Sequence, residues 1–372
     1  MTDPSPPVVR RVSDLIGATP LLELCRAPNG ARLLLKLESL NLTGSAKSRM
    51  ARGMVLDAER SGELPPGGRI VESTSGNTGT ALAVLAAERG YDFTAIVDRH
   101  ACRDKLRAME ALGAQLVYVG DDSDDDDGSD EDDLADDNLA TAEREELAAQ
   151  LAAESPNAVF TEQHNNPSNA DSYAVLADEL TAALPGGIDH LVGAVGTGGS
   201  LCGTARVLRD TCPTLVVTGV EPVGSIAFGG SGGSYYQSGT GTPPGAEIGA
   251  LVEHDLIDSE RKVSDRAAFA TARVLARRIG LLVGGSAGGV IYEALLALTR
   301  APAGSTVVAL VCDAGEKYLD SVFDDGWMRD RELLDPAAEA AVAALLDDLT
   351  TDDARESPAD GVPAARSESG GP

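Results

Sequence analysis

Aromatic side chains are scarce, 3% of the 372 residues, so Val, Leu and Ala have to fill any core. Positive charge is scarce as well: 30 Lys and Arg face 59 Asp and Glu, a formal net charge of −29. That balance argues against nucleic acid or an anionic membrane surface as a partner, because phosphates would be repelled. The five cysteines, Cys25, Cys102, Cys202, Cys212 and Cys312, are scattered with no C-x-x-C pair. They form neither a disulfide framework nor a zinc site, so no metal is expected, and they suit a reducing cytoplasm. No apolar run approaches about 18 residues, and no basic start leads into an apolar core. Neither a membrane span nor a secretory leader is expected. No repeat of fixed period is present. What remains is a chain with 43% hydrophobic residues, long enough to bury a sizeable core, which fits a globular protein.

Charge is unevenly placed. Residues 121–137 hold twelve acidic side chains in seventeen positions. Such a block repels itself and reads as a solvated acidic insertion. It does not match a calcium loop, since the first ligand position would be Ser123 and the closing one Leu134. Residues 350–372 are rich in Pro, Gly, Ser and Asp and read as a disordered tail, preceded by an Ala-rich helical stretch over 336–349. Between these lie short apolar runs that read as buried strands: 33–37, 93–97, 116–119, 191–195, 216–220 and 307–311. Helical segments such as 80–89 and 267–279 follow most of them. Alternation of this kind predicts an α/β fold with largely parallel sheets and flanking helices.

Several polar or Gly-rich stretches sit at strand–helix junctions, where open α/β sheets bind ligands. In Asn41-Leu42-Thr43-Gly44-Ser45-Ala46-Lys47-Ser48-Arg49, Lys47 stands at the start of a helical segment running to about Arg60. The positive field of a helix start lowers a lysine's pKa, and a free amine can join an aldehyde. An ordinary surface lysine would explain Lys47 alone. In Glu72-Ser73-Thr74-Ser75-Gly76-Asn77-Thr78-Gly79, after a strand over 69–71, hydroxyls, an amide and backbone N–H groups make a nest for a carboxylate. A plain helix cap explains one such hydroxyl well and a cluster poorly. Gly196-Thr197-Gly198-Gly199-Ser200 opens a helix through Arg209. It matches neither a P-loop nor the dinucleotide fingerprint, and suits a single phosphate. Gly284-Gly285-Ser286-Ala287-Gly288-Gly289 and Cys312-Asp313-Ala314-Gly315-Glu316-Lys317-Tyr318 complete the set, each explicable alone as a tight turn. One ligand accounts for all five: an aldehyde with one phosphate, beside an amino-acid carboxylate. Pyridoxal phosphate meets that description.

In this combination and order, with Ile16-Gly17-Ala18-Thr19-Pro20-Leu21 ahead of them, the motifs give a chain that resembles the fold-type II pyridoxal-phosphate enzymes. The likeness is to the cysteine synthase and cystathionine β-synthase group, and runs from about residue 15 to about residue 328. It implies a two-domain fold like that of tryptophan synthase β. Residues 1–46 with 157–330 would form the large cofactor-binding domain, and 47–156 a small domain closing on substrate, leaving 331–372 as the C-terminal helix and tail. It implies that Lys47 carries the internal aldimine and acts as the base on Cα. Asn77 would meet the cofactor's ring oxygen. Thr74, Ser75, Gly76, Asn77, Thr78 and Gln163 would meet the substrate carboxylate. Gly196, Thr197, Gly198, Gly199 and Ser200 would hold the phosphate, and Ser286, Asp313 and Ala314 would lie near the pyridine ring. A homodimer is implied on the same ground.

Two departures stand out. Ser48 replaces the acidic residue usual between the lysine and the arginine of that motif. Near the pyridine nitrogen, Ser286 and the stretch Cys312-Asp313-Ala314 compete; an acid there would favour a protonated ring, and a neutral ring is the expectation. The activity implied is β-replacement on an O-activated L-serine through an aminoacrylate, forming L-cysteine with sulfide. Acetylserine and phosphoserine both remain open. Residues 225–260 contain no Lys or Arg for a phosphate, and the basic group Arg99, Arg103 and Lys105 is expected not to bind one. The alternatives are a diaminopropionate-precursor synthase using phosphoserine and glutamate, suggested by 313–320, a serine/threonine-type β-eliminating dehydratase, and a non-catalytic binding protein on the same fold.

Overall fold

The computed structural model describes residues 8–74, 76–98, 103–119 and 134–350, with side chains of the helix that begins at Leu134 described from residue 143. Ser75, Arg99, residues 121–133 of the acidic insertion and 351–372 of the tail lie outside the described residues.

The strands are β1 (Leu21–Arg26), β2 (Arg32–Leu37), β3 (Arg69–Ser73), β4 (Asp92–Asp98), β5 (Gln115–Val119), β6 (Ala158–Phe160), β7 (His190–Ala194), β8 (Val216–Pro222), β9 (Ser259–Val263) and β10 (Thr306–Val311). The helices are α1 (Lys47–Ser61), α2 (Asn77–Arg89), α3 (Arg103–Ala111), α4 (Leu134–Glu154), α5 (Pro167–Asp171), α6 (Ala174–Ala183), α7 (Gly199–Thr211), α8 (Asp265–Ile279), α9 (Gly285–Arg300), α10 (Asp325–Asp330) and α11 (Pro336–Asp348). A six-stranded sheet runs β1-β2-β10-β7-β8-β9, and a four-stranded sheet runs β5-β4-β3-β6. Among the described residues every strand pairing is parallel except β1 with β2. The chain is thus an α/β protein with largely parallel sheets and flanking helices.

Continuous apolar strands follow from burial on both faces. Along β2 and β10, Leu33, Leu35, Val307, Ala309 and Val311 enter one core with α8, α9 and α11, while Leu34, Val308 and Leu310 enter another with α6 and α7. The smaller sheet repeats the arrangement. Ile70, Phe93, Ala95 and Val97 pack against α1 and α2, and Val71 and Ile96 against Ala148 of α4.

Three strands have no counterpart among the expected strands. β1 and β9 are sheet edges, and β9 reads Ser-Glu-Arg-Lys-Val, a charged edge of the kind that resists further pairing. β6 is three residues long and pairs with β3. The division expected between 156 and 157 therefore puts Ala158–Phe160 with the wrong sheet. The N-terminal segment also touches the smaller layer: Ser13 donates to Glu88 of α2 from both its backbone N and its Oγ, each at 2.6 Å. The loop expected over 121–137 is helical from Leu134, the first residue of α4. The helix expected over 336–349 is α11, capped by Asp335.

Candidate functional site

A cavity of about 540 Å³ opens where β3, β7 and β10 end and α1, α2, α7 and α9 begin. Lys47, Thr74, Gly76, Asn77, Thr78, Gln163, Gly196, Thr197, Gly198, Ser200, Ser286 and Asp313 all line it. Gly199 and Ala314 do not. Gly199 backs onto Asn169, and Ala314 donates its N–H to the Gly44 carbonyl at 3.0 Å. A second cavity, about 620 Å³, lies at the opposite end of the large sheet around Arg261, Glu293 and Arg300; none of the motif residues reaches it.

Lys47 opens α1, as its motif suggests. Its amine makes no hydrogen bond or ion pair among the described residues. Burial lowers its pKa, and Cys312 and Asp313 pull in the other direction. Burial is thus a cause that the sequence reading did not supply. The first turn of α1 is pinned by Arg49, which grips Glu38 through Nε at 2.7 Å and Nη2 at 2.9 Å. It also grips Glu179 of α6 through Nη1 and Nη2, both at 2.8 Å. Ser48 is buried, and its Oγ shares a 2.7 Å hydrogen bond with Thr43 Oγ1. The departure from an acidic residue here thus closes the turn before the helix.

Across the cavity, Thr78 Oγ1 donates to Gln163 Oε1 at 2.7 Å, and Gln163 Nε2 donates to the Ser73 carbonyl at 3.2 Å. Glu72 lies behind them and accepts from Thr161 Oγ1 at 2.5 Å. Its burial pushes the carboxyl up to about 8. His164, also on the wall, is pushed down to about 4 by burial and by Lys47.

The glycine loop after β7 leads into α7 with Gly198 at φ +86°, a backbone that side chains disfavour. A Cβ there would lie 2.4 Å from the Leu251 carbonyl oxygen, and one at Gly199 would lie 2.2 Å from Asn169 Oδ1. Such packing leaves bare N–H groups at a helix start, suited to a phosphate.

Next to Lys47, Asp313 is fully enclosed. Its Oδ2 accepts from Tyr318 OH at 2.5 Å and from Asn77 Nδ2 at 3.0 Å; its Oδ1 has no partner among the described residues. Ser286 Oγ and Cys312 Sγ lie 3.3 Å apart, and burial pushes the Cys312 thiol up to about 12. These residues fit pyridoxal phosphate. An unpaired amine sits in a cavity that also holds a glycine cradle and a buried carboxylate oxygen without a partner.

Several residues at or behind the wall escaped the sequence reading. Asn169 donates to the Gln163 carbonyl at 2.7 Å and to Thr197 Oγ1 at 3.3 Å, joining the two loops. Its place two residues after the Gln163-His164-Asn165-Asn166-Pro167 segment is the available signal. Arg144 of α4 faces the cavity, paired with Asp98 at 2.5 Å. In the basic group expected not to bind a phosphate, Arg103 is exposed, but Lys105 is 6% exposed and lies over the Tyr318 ring, 4.7 Å from its centre.

The pyridoxal-phosphate dependent enzyme family matches residues 12–313. A protein of Sinorhizobium fredii named as a candidate cysteine synthase is 50% identical over 336 residues, 90% of this chain and 96% of that one. An N-(2-amino-2-carboxyethyl)-L-glutamate synthase of Ralstonia nicotianae is 36% identical over 324 residues, 86% and 91% of the two chains. Among solved structures, the O-acetylserine dependent cystathionine β-synthase from Helicobacter pylori superposes with a TM-score of 0.76 at 30% identity, covering 84% of this chain and 98% of that one. The chain belongs to the pyridoxal-phosphate dependent enzyme family and has the fold-type II architecture. It is a pyridoxal-phosphate-dependent enzyme of β-replacement on O-substituted serine, with an amino acid as substrate. No helix among the described residues is long and apolar enough to cross a membrane.

Proposed function

We propose that this enzyme makes L-cysteine from O-acetyl-L-serine and sulfide, releasing acetate. The observation that carries the choice of acetylserine is the charge of the cavity wall. The segment that supplies Tyr235, Ser238, Thr240 and Pro243 bears no cation, Arg144 is already paired with Asp98, and Lys105 is stacked on Tyr318. A neutral ester needs no cation, whereas a phosphate ester needs one to offset its desolvation.

In this reading Lys47 holds the cofactor, Gly196, Thr197, Gly198 and Ser200 hold its phosphate, and Asn77 meets its ring oxygen. Thr74, Gly76, Thr78 and Gln163 receive the substrate carboxylate. When bound, pyridoxal phosphate withdraws electrons from the substrate's Cα. The protein moves the protons. Lys47 Nζ, whose pKa burial lowers, takes the proton from Cα and returns it after exchange at Cβ. The Cβ–O bond breaks with departure of acetate, and a Cβ–S bond forms with sulfide. Water is kept out by the smaller layer closing over the carboxylate nest. A cytoplasmic homodimer belongs to the same proposal.

A second reading rests on the Ralstonia relative: a phosphoserine substrate with glutamate as nucleophile, with Lys105 and Arg144 as the wall's cations. Steady-state turnover with O-acetylserine and O-phosphoserine, each with sulfide or glutamate, separates the two. Cysteine from acetylserine supports the first. Turnover of phosphoserine with glutamate alone overturns it.

A further inference from the structure

We propose that Asp313 and Lys317 are positioning residues that lock the Asn77 amide in one orientation, leaving one Nδ2 hydrogen for an oxygen of the bound cofactor. The inference rests on the reading in which Asn77 serves the cofactor. Lys317 Nζ donates to Asn77 Oδ1 at 2.6 Å, and Asp313 Oδ2 accepts from Asn77 Nδ2 at 3.0 Å. An ammonium can only donate and a carboxylate can only accept, so the two partners together forbid the flipped amide. Nδ2 carries two hydrogens. Asp313 takes one, and Asn77 lines the cavity, so the other is available there.

The clamp is itself held. Tyr318 OH fixes Asp313 at 2.5 Å, and Lys105 Nζ donates to that hydroxyl at 3.4 Å. Lys317 also donates to the Thr43 and Gly44 carbonyls at 2.8 and 3.3 Å, in the loop that leads to Lys47. Asn77 begins α2 of the smaller layer, whereas Asp313 and Lys317 follow β10 of the larger sheet. One amide therefore registers both layers and the lysine loop against the same point. The ammonium on Asn77 Oδ1 polarises the amide and strengthens donation by the remaining N–H.

The test is a double-mutant cycle on the loaded enzyme, read as the cofactor dissociation constant and as the pH midpoint of the cofactor's visible absorbance. Asn77→Ala and Asp313→Ala are each expected to weaken cofactor binding about tenfold, one hydrogen bond's worth, and to move the midpoint the same way. In the Asn77→Ala background, Asp313→Ala should add nothing. Lys317→Arg, which can only donate, should keep the wild-type spectrum, and Lys317→Met should give that of Asn77→Ala. Additive effects of Asn77 and Asp313, or a wild-type spectrum in Lys317→Met, would overturn the proposal. If Asp313→Ala does not fold, the Lys317 pair decides it. A wild-type protein that takes up no cofactor would sink the cofactor reading itself, a different outcome from loading with additive effects.

Discussion

Thr78 Oγ1 donates to Gln163 Oε1 at 2.7 Å, joining the first turn of α2 to the loop after β6. With its oxygen so engaged, Gln163 keeps Nε2 turned toward the Ser73 carbonyl. Thr78→Val removes the donor and lets the amide turn. The KM for the amino-acid substrate is expected to rise about tenfold, the cost of one misplaced hydrogen bond, with the cofactor absorbance unchanged. Steady-state kinetics and a spectrum of the same preparation check both halves.

Glu72 carries a pH dependence of stability. Its folded-state pKa is about 8 against an ordinary 4.5, raised by burial. The contribution is fully present below the ordinary value and is lost as pH rises through about 8. Glu72→Gln cannot titrate. Urea midpoints from about pH 5 to about pH 9 should fall less steeply for the variant than for the wild type, with the variant gaining relative to it as pH rises.

Gly198→Ala places a methyl at φ +86°, where it would lie 2.4 Å from the Leu251 carbonyl oxygen. The loop has to shift, and its N–H groups with it. Isothermal titration of the apo-protein with pyridoxal phosphate should show at least about tenfold weaker binding, with the loss much smaller for a ligand lacking the phosphate.

Arg49 and Glu38 are each 1% exposed in the side chain. Arg49→Met leaves the Glu38 carboxylate buried without its two-point partner. The expected cost is about 3–5 kcal/mol in urea unfolding, and Lys47 loses the anchor of its helix turn.

The inner strands were legible because burial on both faces makes them unbroken apolar runs, as at 33–37 and 307–311. β1 and β9 were not, because an edge strand has to satisfy water on one side. The cavity motifs were legible for a related reason: glycines and hydroxyls in succession at the end of an apolar run have few purely structural uses. Lys47, Thr78 and Ser200 all come from such runs. What stayed hidden is contact between distant segments. Asn77 and Asp313 are 236 positions apart, and no local pattern says that one carboxylate will hold that amide. Lys105 was hidden in another way. A basic residue next to other charged ones reads as surface, and only the packing of Tyr318 over it shows that it is buried.

The central claim is that Lys47 is the residue joined to the cofactor. The chain has only five lysines, Lys36, Lys47, Lys105, Lys262 and Lys317, so the test is clean. The loaded protein is reduced with borohydride, digested, and its peptides are weighed by mass spectrometry. The account predicts a pyridoxyl-phosphate adduct on Lys47 alone, absent from Lys47→Ala. An adduct on any of the other four in the wild type, or no adduct in a protein that retains turnover, would contradict it.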